Sequence, residues 1–214
     1  MTQATAKKPT KGRTATREAR RQQLINATID SISKRGFSGT TLATVTKGAK
    51  LSHGIVNFHF DSKESLYVET LGFLAQEHYD LWTAALEKAG PNPADQMAAM
   101  LNVDFEQTVC SAKKLAVWFA FWGQAKQRPT YLNIHNSFDE HRTSELKRLC
   151  SELAKDGGYD HITPIETTRS IESIIDGLWL QVLLYPQSLS RTEARKNCFN
   201  YLACLFPKHF SRCT

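Results

Sequence analysis

The sequence lacks the features of a secreted, membrane-spanning or disulfide-stabilised protein. In its 214 residues, no apolar run approaches the roughly 20 residues that a membrane-spanning helix needs. The stretch from Met1 to Lys11 is polar and basic, without the apolar segment of a secretion signal. The five cysteines are scattered and show no Cys-x-x-Cys spacing, which predicts reduced thiols in a cytoplasmic protein.

Signatures of catalysis and of metal binding are also missing. No Ser-His-Asp order, phosphate-binding loop or metal-ligand spacing occurs, and the seven histidines are dispersed. We therefore expect that the protein is not an enzyme and that it needs neither a metal ion nor another cofactor.

Strand patterns are absent as well, whereas helix boundaries are frequent. Apolar residues recur at helical spacing, for example Ile25, Ile29 and Ile32 in a first helix predicted from about Thr16 to Arg35. A fifth helix is predicted from Asn92-Pro93 to about Val109. Capping boxes are predicted at Thr163-Pro164-Ile165-Glu166 and Ser190-Arg191-Thr192-Glu193, and Gly157-Gly158 should stop a helix. The sequence therefore predicts an all-α chain of about nine helices joined by short loops.

Charge is present in excess, but only at one end. Up to Phe60 the chain has eleven basic and two acidic residues, a net +9, whereas the remainder carries −3 of the total +6. A basic head on a mildly acidic body favours a polyanion as the partner of the head. Charge alone is equally compatible with a basic arm that only aids solubility.

The stretch from Gly36 to Leu66 has the pattern of a helix-turn-helix. Thr40 and Thr41 can cap a short helix from Leu42 to about Ala49, because a threonine hydroxyl accepts a hydrogen bond from an unpaired backbone amide. A break at Lys50-Leu51 follows, and Ser52 can cap a second short helix. In such a motif the second helix lies in the DNA major groove.

The same stretch resembles the amino-terminal domain of TetR-type bacterial repressors. The match runs from Phe37 and Thr40-Thr41-Leu42 to His59-Phe60-Asp61-Ser62-Lys63-Glu64 without a gap. The family usually has glycine where Lys50 stands and often tyrosine where Asn57 stands. We expect the groove-facing residues to be Ser52, His53, Ile55, Asn57 and His59, and the phosphate contacts to be Thr41, Lys50 and Lys63.

An aromatic cluster marks the sixth predicted helix. Trp118 and Trp122 are four residues apart and share a face, and Trp179 lies on the eighth helix. Aromatic rings around a cavity attract a quaternary ammonium, because the ring quadrupole favours a cation. Equally, the rings can be ordinary core or dimer surface.

Two carboxylates, Asp176 and Asp104, lie close in the sequence to these aromatic residues. Asp176 interrupts an apolar helical run, so it needs a partner: a cationic ligand, an internal arginine or a helix-end amide. Asp104, with its neighbour Glu106, is expected on a solvated face.

The carboxy-terminal part resembles the choline-responsive branch of the TetR-type repressors, which controls glycine-betaine synthesis genes. The resemblance rests on Asp104–Thr108, Ser111, Trp118–Trp122, Pro129 and Ile175–Leu180. It implies a homodimer built on the last two helices, a palindromic DNA operator, and DNA release by choline or a close relative. The expected ligand contacts are Phe105, Trp118, Phe119, Trp122, Asp176 and Trp179.

These observations predict four segments: a disordered basic arm (1–15), a helix-turn-helix domain (16–62), a ligand-binding and dimerisation domain (63–207) and a tail (208–214). The function that they favour is that of a ligand-responsive transcriptional repressor. The alternative is a helical DNA-binding or scaffold protein with no small-molecule ligand, whose aromatic cluster is core.

Overall fold

A computed structural model describes residues 11–52 and 54–212, and for residues 11–15 the backbone alone. Its described part consists of helices without any strand, which confirms the predicted all-α fold. None of the described helices is both long and apolar enough to span a bilayer. The helices are α1 (Lys11–Gly39), α2 (Leu42–Ala49), α3 (Gly54–His59), α4 (Lys63–Lys88), α5 (Pro93–Val103), α6 (Ala112–Ala125), α7 (Pro129–Gly157), α8 (Pro164–Leu184) and α9 (Arg191–Leu205).

Helix α1 starts earlier than predicted and is interrupted near its end. Its backbone is helical from Lys11, five residues before the predicted start near Thr16, and residues 11–15 contain no proline to stop the helix. Residues 1–10 lie outside the described part. Gly36 has φ 66° and ψ −175° and kinks the helix, as expected of glycine at the predicted stop.

The chain divides into two compact units, of which the first ends at Thr70. Its core contains the predicted apolar face of α1 together with residues of α2, α3 and the first turns of α4. The Tyr67 hydroxyl donates a hydrogen bond to the Thr40 carbonyl at 3.1 Å, which fixes the start of α4 against the loop before α2. The principal buried side chains are Leu24, Ile29, Ile32, Val45, Val56, Phe60 and Leu66.

The turn of the helix-turn-helix forms as the sequence predicts. Thr41 is the N-cap of α2 and makes reciprocal hydrogen bonds with Thr44. Lys50 ends α2 in the left-handed region, with φ 54° and ψ 41°, at the position where glycine was expected from the resemblance. The Leu51 amide then donates to the Thr46 carbonyl at 2.9 Å, which satisfies one of the last carbonyls of α2.

The second unit begins at Leu71 and contains the rest of α4 and helices α5–α9. Its helix ends follow local signals in part. Ser190 forms the predicted capping box with Glu193, and Gly158 is the predicted left-handed stop of α7. The predicted side-chain cap at Thr163 is wrong, because Thr163 makes no capping hydrogen bond.

Helix α5 ends at Val103, six residues before the predicted end at Val109. A turn replaces the missing helical residues, and in it the Phe105 amide donates to the Asn102 carbonyl at 3.0 Å. This turn carries Asp104 into the interior, where its carboxylate finds partners on two other helices. The early end of α5 therefore creates a buried polar site that helix-boundary signals did not predict.

Candidate functional site

The second unit encloses a cavity of about 150 Å³ between α4, α6, α7, α8 and the turn after α5. Its wall combines aromatic rings with ionisable groups. Six aromatic side chains line it: Tyr79, Trp82, Trp118, Trp122, Phe138 and Trp179. The ionisable residues in the wall are His78, Asp104, His135, Asp139, Arg142, Glu172 and Asp176.

A buried ion pair lies at one side of this cavity. Asp104 is only 1% exposed, and its carboxylate accepts a hydrogen bond of 2.6 Å from Arg142 Nη2. His78 Nε2 lies 2.8 Å from the other carboxylate oxygen. The Trp179 indole donates to the Asp104 backbone carbonyl at 2.8 Å. These contacts hold α4, α7 and α8 around the turn after α5.

Asp104 is ionised despite its burial. Burial alone raises the pKa of its carboxyl, but Arg142 and His78 outweigh that effect and lower the pKa below its usual value. The pKa of Arg142 is raised, because burial, which acts to lower it, is outweighed by Asp104, Glu172 and Asp139. The prediction that Asp104 lies on a solvated face is therefore wrong, whereas its neighbour Glu106 is exposed as expected.

The remaining carboxylates of the wall are more exposed than Asp104. The Thr143 hydroxyl donates to Glu172 at 2.7 Å, and Asp139 lies 3.0 Å from His135 Nε2. Among the described residues, none donates a hydrogen bond to the side chain of Asp176. Desolvation by the surrounding protein raises the pKa of Asp176 to about 6, against the opposing effect of Arg142.

The aromatic rings form two groups. Trp118 and Trp122, one turn apart on α6, have centroids 6.3 Å apart and an interplanar angle of 46°. Tyr79 and Trp82 on α4 pack edge to face at 5.2 Å. The rings are thus held at angles to one another, an arrangement that presents several faces and edges to one small volume.

Four of the six expected ligand residues line the same cavity: Trp118, Trp122, Asp176 and Trp179. The other two, Phe105 and Phe119, do not line it. Phe105 is buried in the turn after α5, where its carbonyl accepts a hydrogen bond from Arg191 at 3.0 Å. Phe119 is rotated about 100° around α6 from Trp118, and its ring packs edge-on against Trp122 at 5.0 Å.

Helices α4 and α7 also contribute residues to the cavity wall, which was not predicted from the sequence. On α4, His78, Tyr79 and Trp82 recur at helical spacing, and this repeat was a usable signal. On α7 the same holds for the face that carries His135, Phe138, Asp139 and Arg142. No helix-local signal, however, brings these two faces together.

The first unit presents a second candidate surface on and around α3. Of the expected groove-facing residues, Ser52 and Asn57 are exposed and Ile55 is half-buried, whereas His53 lies outside the described residues. His59, by contrast, is buried, with only 7% of its surface exposed. Burial, with smaller contributions from Arg17 and Arg21, lowers the pKa of its imidazole.

The outward position at the end of α3 is taken by Phe58, which the sequence reading missed. Phe58 is 67% exposed, and its ring lies 5.7 Å from the Arg17 guanidinium carbon. The expected phosphate contacts Thr41 and Lys50 are exposed, and Lys63 is half-exposed with Nζ 5.1 Å from the Tyr67 ring centre. The first unit therefore combines a short outward helix with lysines on either side of it.

A helix-turn-helix unit joined to a helical body with an internal cavity is the architecture of ligand-responsive DNA-binding transcriptional regulators. Residues 24–70 match the family described as bacterial regulatory proteins, tetR family, and residues 93–207 match the BetI-type transcriptional repressor, C-terminal family. The chain belongs to the TetR family of transcriptional regulators, with a carboxy-terminal domain of the BetI type, and is not an enzyme.

Similar proteins support this assignment. The chain is 34% identical to the HTH-type transcriptional regulator BetI of Burkholderia mallei (strain NCTC 10229), over 87% of this chain and 93% of that protein. It is 33% identical to BetI of Burkholderia cenocepacia (strain J2315), over 88% of this chain and 95% of that protein.

Two solved structures share the fold. One is a protein of Pseudomonas aeruginosa PAO1 described as a transcriptional regulator, with a TM-score of 0.77, 23% identity, and coverage of 91% of this chain and 95% of that chain. The other is from Saccharomonospora viridis, is also described as a transcriptional regulator, and was crystallised with choline. It has a TM-score of 0.77 at 16% identity and covers 86% of this chain and 96% of that chain.

Proposed function

We propose that this protein is a dimeric repressor that leaves its DNA operator when choline, or a closely related quaternary amine, enters the cavity of the second unit. The operator is palindromic and the genes that it controls serve choline and glycine-betaine metabolism. The observation that carries the proposal is the cavity wall, in which six aromatic side chains stand beside more carboxylates than cationic groups.

This wall suits a quaternary ammonium for two physical reasons. A quaternary ammonium has no N–H to donate, so ring faces and diffuse negative charge are its best partners. Asp104 is neutralised by Arg142, but Asp139, Glu172 and Asp176 add negative charge to the same wall. The BetI relatives and the choline complex of the S. viridis protein support the same ligand class.

DNA binding is proposed for the surface around α3. Ser52, Asn57 and Ile55 would face the bases of the major groove, and Thr41, Lys50 and Lys63 would contact phosphates. Lys63 opens α4, where backbone amides and an ammonium together favour a phosphate oxygen. Such a regulator acts in the cytoplasm, where bacterial operators are.

A homodimer is proposed from the surface of α8. Leu180, Leu184 and Tyr185 are large apolar side chains that remain exposed in the single chain. A second copy would cover them through a two-fold interface of α8 and α9, in the manner of a four-helix bundle. Two symmetric heads then require two half-sites, which is why the operator is palindromic.

Helix α4 provides the connection between ligand and DNA. It carries Tyr67, which donates a hydrogen bond to the loop before α2, and three to four turns later Tyr79 and Trp82, which line the cavity. A ligand that repositions α4 at Tyr79 therefore acts on the same helix that supports the DNA-binding unit. The dimer would bind operator in one spacing of its heads and lose it in another.

The test compares choline with its uncharged carbon isostere, 3,3-dimethylbutan-1-ol. All four tryptophans of the sequence line the cavity, so tryptophan fluorescence reports its occupancy directly. At about 2 kcal/mol for desolvated cation–π contacts, choline should bind at least roughly thirtyfold more tightly than the isostere. The operator is first selected from a random-sequence duplex library, and choline should then release it.

Matched variants locate the site. Trp122→Leu removes a ring of the cavity wall and should weaken choline binding at least roughly tenfold, whereas Phe119→Leu removes the neighbouring ring outside the wall and should not. Equal affinities for choline and the isostere would contradict the proposal.

The second candidate function is DNA binding without a ligand. It is favoured by the burial of Trp82, Trp118 and Trp179, which pack as core side chains do. The same titration decides between the two: a selected operator that is bound tightly, with no response of fluorescence or DNA affinity to choline, would establish this second function.

A further inference from the structure

His135 occupies a position that a cationic ligand would need to share. Its imidazole lies 5.4 Å from the Trp122 ring and 6.1 Å from the Trp118 ring, centroid to centroid. On its other side, Nε2 is 3.0 Å from the Asp139 carboxylate one helical turn along α7. An imidazolium in this place makes the ring contacts and the carboxylate contact that the proposed function gives to a quaternary ammonium.

Several ionisable groups line the cavity together with the imidazole. Asp139 and Arg142 extend from its own helix, Glu172 and Asp176 from α8, His78 from α4, and Asp104 from the turn after α5. Helix α6 contributes the two indole rings to this wall. Because Asp104 and Arg142 neutralise one another, the balance near His135 is set by the other carboxylates and is negative.

This environment favours the charged form of the imidazole. Burial acts to lower the pKa of His135, but the hydrogen bond that its imidazole donates to Asp139 and the charges of Asp139, Asp176 and Glu172 outweigh it and raise the pKa. His135 is therefore protonated over a wider part of the neutral pH range than an ordinary histidine.

We infer that His135 is a specificity-determining residue of the cavity, whose proton and a cationic ligand exclude one another. The inference rests on the proposed function, because it assigns a role within the same ligand site. When the quaternary ammonium enters, the imidazolium beside it loses its proton to the solvent, and neutral His135 remains against Trp122. When the ligand leaves, the proton returns and restores positive charge to the wall.

Because proton release and ligand binding are thermodynamically linked, this exchange can be measured as a pH dependence of the ligand affinity. Two like charges in a partly desolvated cavity repel each other more strongly than in water, and the proton is the one that can leave. By reciprocity, if the ligand expels a proton, then raising the pH strengthens the ligand's binding. The affinity should rise by up to about tenfold per pH unit while His135 is protonated in the free protein, and then level off.

Asp176 would have the same effect on the measurement, because it titrates in this pH range and it also releases a proton when a cation binds. With a pKa of about 6, it too releases a proton when a cation binds beside it. Proton release alone therefore does not identify His135, and each residue has to be replaced separately.

The experiment is calorimetric titration of the full-length protein with choline chloride between pH 6 and 8.5, in pairs of buffers with different ionisation enthalpies. The difference in heat between the buffers gives the number of protons released. His135→Gln retains an amide that can donate to Asp139 but cannot titrate. His209→Gln is the matched control, because His209 also pairs with an aspartate, Asp156, at 2.8 Å but lies outside the cavity wall.

The wild-type and His209→Gln proteins should release a proton near pH 6.5 and bind choline more tightly as the pH rises. His135→Gln should lose most of that release and should bind choline about tenfold more tightly than the wild type at pH 6, with little difference at pH 8.5. Full proton release in His135→Gln, lost instead in Asp176→Asn, would overturn the inference but leave the proposed function standing. If folded wild-type protein binds no choline at any pH, the proposed function fails and the inference fails with it.

Discussion

The carboxylate of Asp104 and the guanidinium of Arg142 form an ion pair of 2.6 Å that joins the turn after α5 to the middle of α7. Both side chains are almost fully buried, and both line the cavity. The pair therefore links the turn after α5 to α7, and it offsets the charge of Arg142 in a wall that is proposed to receive a cation.

Replacing Asp104 should lower the stability of the fold. Asp104→Asn keeps the side-chain shape but removes the carboxylate that is hydrogen-bonded to the buried Arg142 guanidinium and leaves it only the more distant Glu172, at 3.8 Å, as an ion-pair partner. This loss should lower the free energy of unfolding by about 3 kcal/mol. Glu106→Gln, two residues further on and exposed, is the control and should change it by less than about 0.5 kcal/mol. Urea unfolding at pH 7 followed by circular dichroism measures both, and equal effects would show that the pair is not a major source of stability.

The sign of the pH dependence follows from the direction of the pKa shift. The pKa of Asp104 is lowered in the folded chain, so its contribution is present above the carboxyl's unfolded pKa. It is lost as the pH falls through the folded pKa. The stability gap between the wild type and Asp104→Asn should therefore narrow in acid and be full at neutral pH.

Lys50 provides a separate test of local strain. A non-glycine residue with positive φ costs about 1–2 kcal/mol, so Lys50→Gly should raise the free energy of unfolding by about 0.5–1 kcal/mol after the entropy of the unfolded glycine is subtracted. Gly158→Ala, at φ 64° with open space around the added methyl, is the matched opposite and should lower it by a similar amount. Thermal unfolding measures both, and destabilisation by Lys50→Gly would refute the strain argument.

Features with a local cause could be predicted from the sequence. The cap at Thr41, the stop at Gly158 and the capping box at Ser190 depend on residues within one helical turn, and all three form as predicted. The shared face of Trp118 and Trp122 is likewise a property of one helix. Local spacing was sufficient for these features because no distant residue takes part in them.

Features that depend on distant partners could not be predicted in the same way. Asp104 looked like a surface residue, because its partner Arg142 is 38 residues away and nothing in the spacing links the two. The prediction that His59 faces the groove follows from the predicted start of the second short helix. The sequence alone does not show which face of that helix packs inward. The face that packs inward contains His59, and its neighbour Phe58 is exposed instead.

Phe58 should contribute to the recognition of thymine. An exposed phenyl ring at the end of the helix proposed to enter the major groove can contact the 5-methyl group, which thymine alone carries. Replacing thymine by deoxyuridine throughout the selected operator removes those methyls and should weaken binding of the wild type. Phe58→Ala should weaken binding to the thymine operator by about 1 kcal/mol, roughly fivefold, and should be less sensitive to deoxyuridine.

Asn26→Ala, on the exposed side of α1 and outside the helix-turn-helix, is the control for the Phe58 measurement. It should show the wild-type response to deoxyuridine in fluorescence-anisotropy titrations. If Phe58→Ala loses the same affinity on the thymine and deoxyuridine operators, its ring contacts something other than the methyl groups.

The final prediction concerns Asp176, the cavity carboxylate to which no described residue donates a hydrogen bond. Its pKa of about 6 means that it is charged at neutral pH and is neutralised as the pH falls through 6. The charged form attracts a cationic ligand, so choline affinity should decrease below about pH 6.

To separate the effect of Asp176 from that of His135, the titration is made in the His135→Gln variant, where the remaining pH dependence should have its midpoint near 6. Adding Asp176→Asn should remove that dependence and weaken choline binding at pH 7.5 by about fivefold, since a partly exposed charge contributes on the order of 1 kcal/mol. Asp156→Asn changes an exposed aspartate outside the cavity and should leave both the affinity and its midpoint unchanged. A midpoint near 6 that persists without the Asp176 carboxylate would assign the titration to another group of the wall, and Asp176 would then be a rim residue without a role in binding the cation.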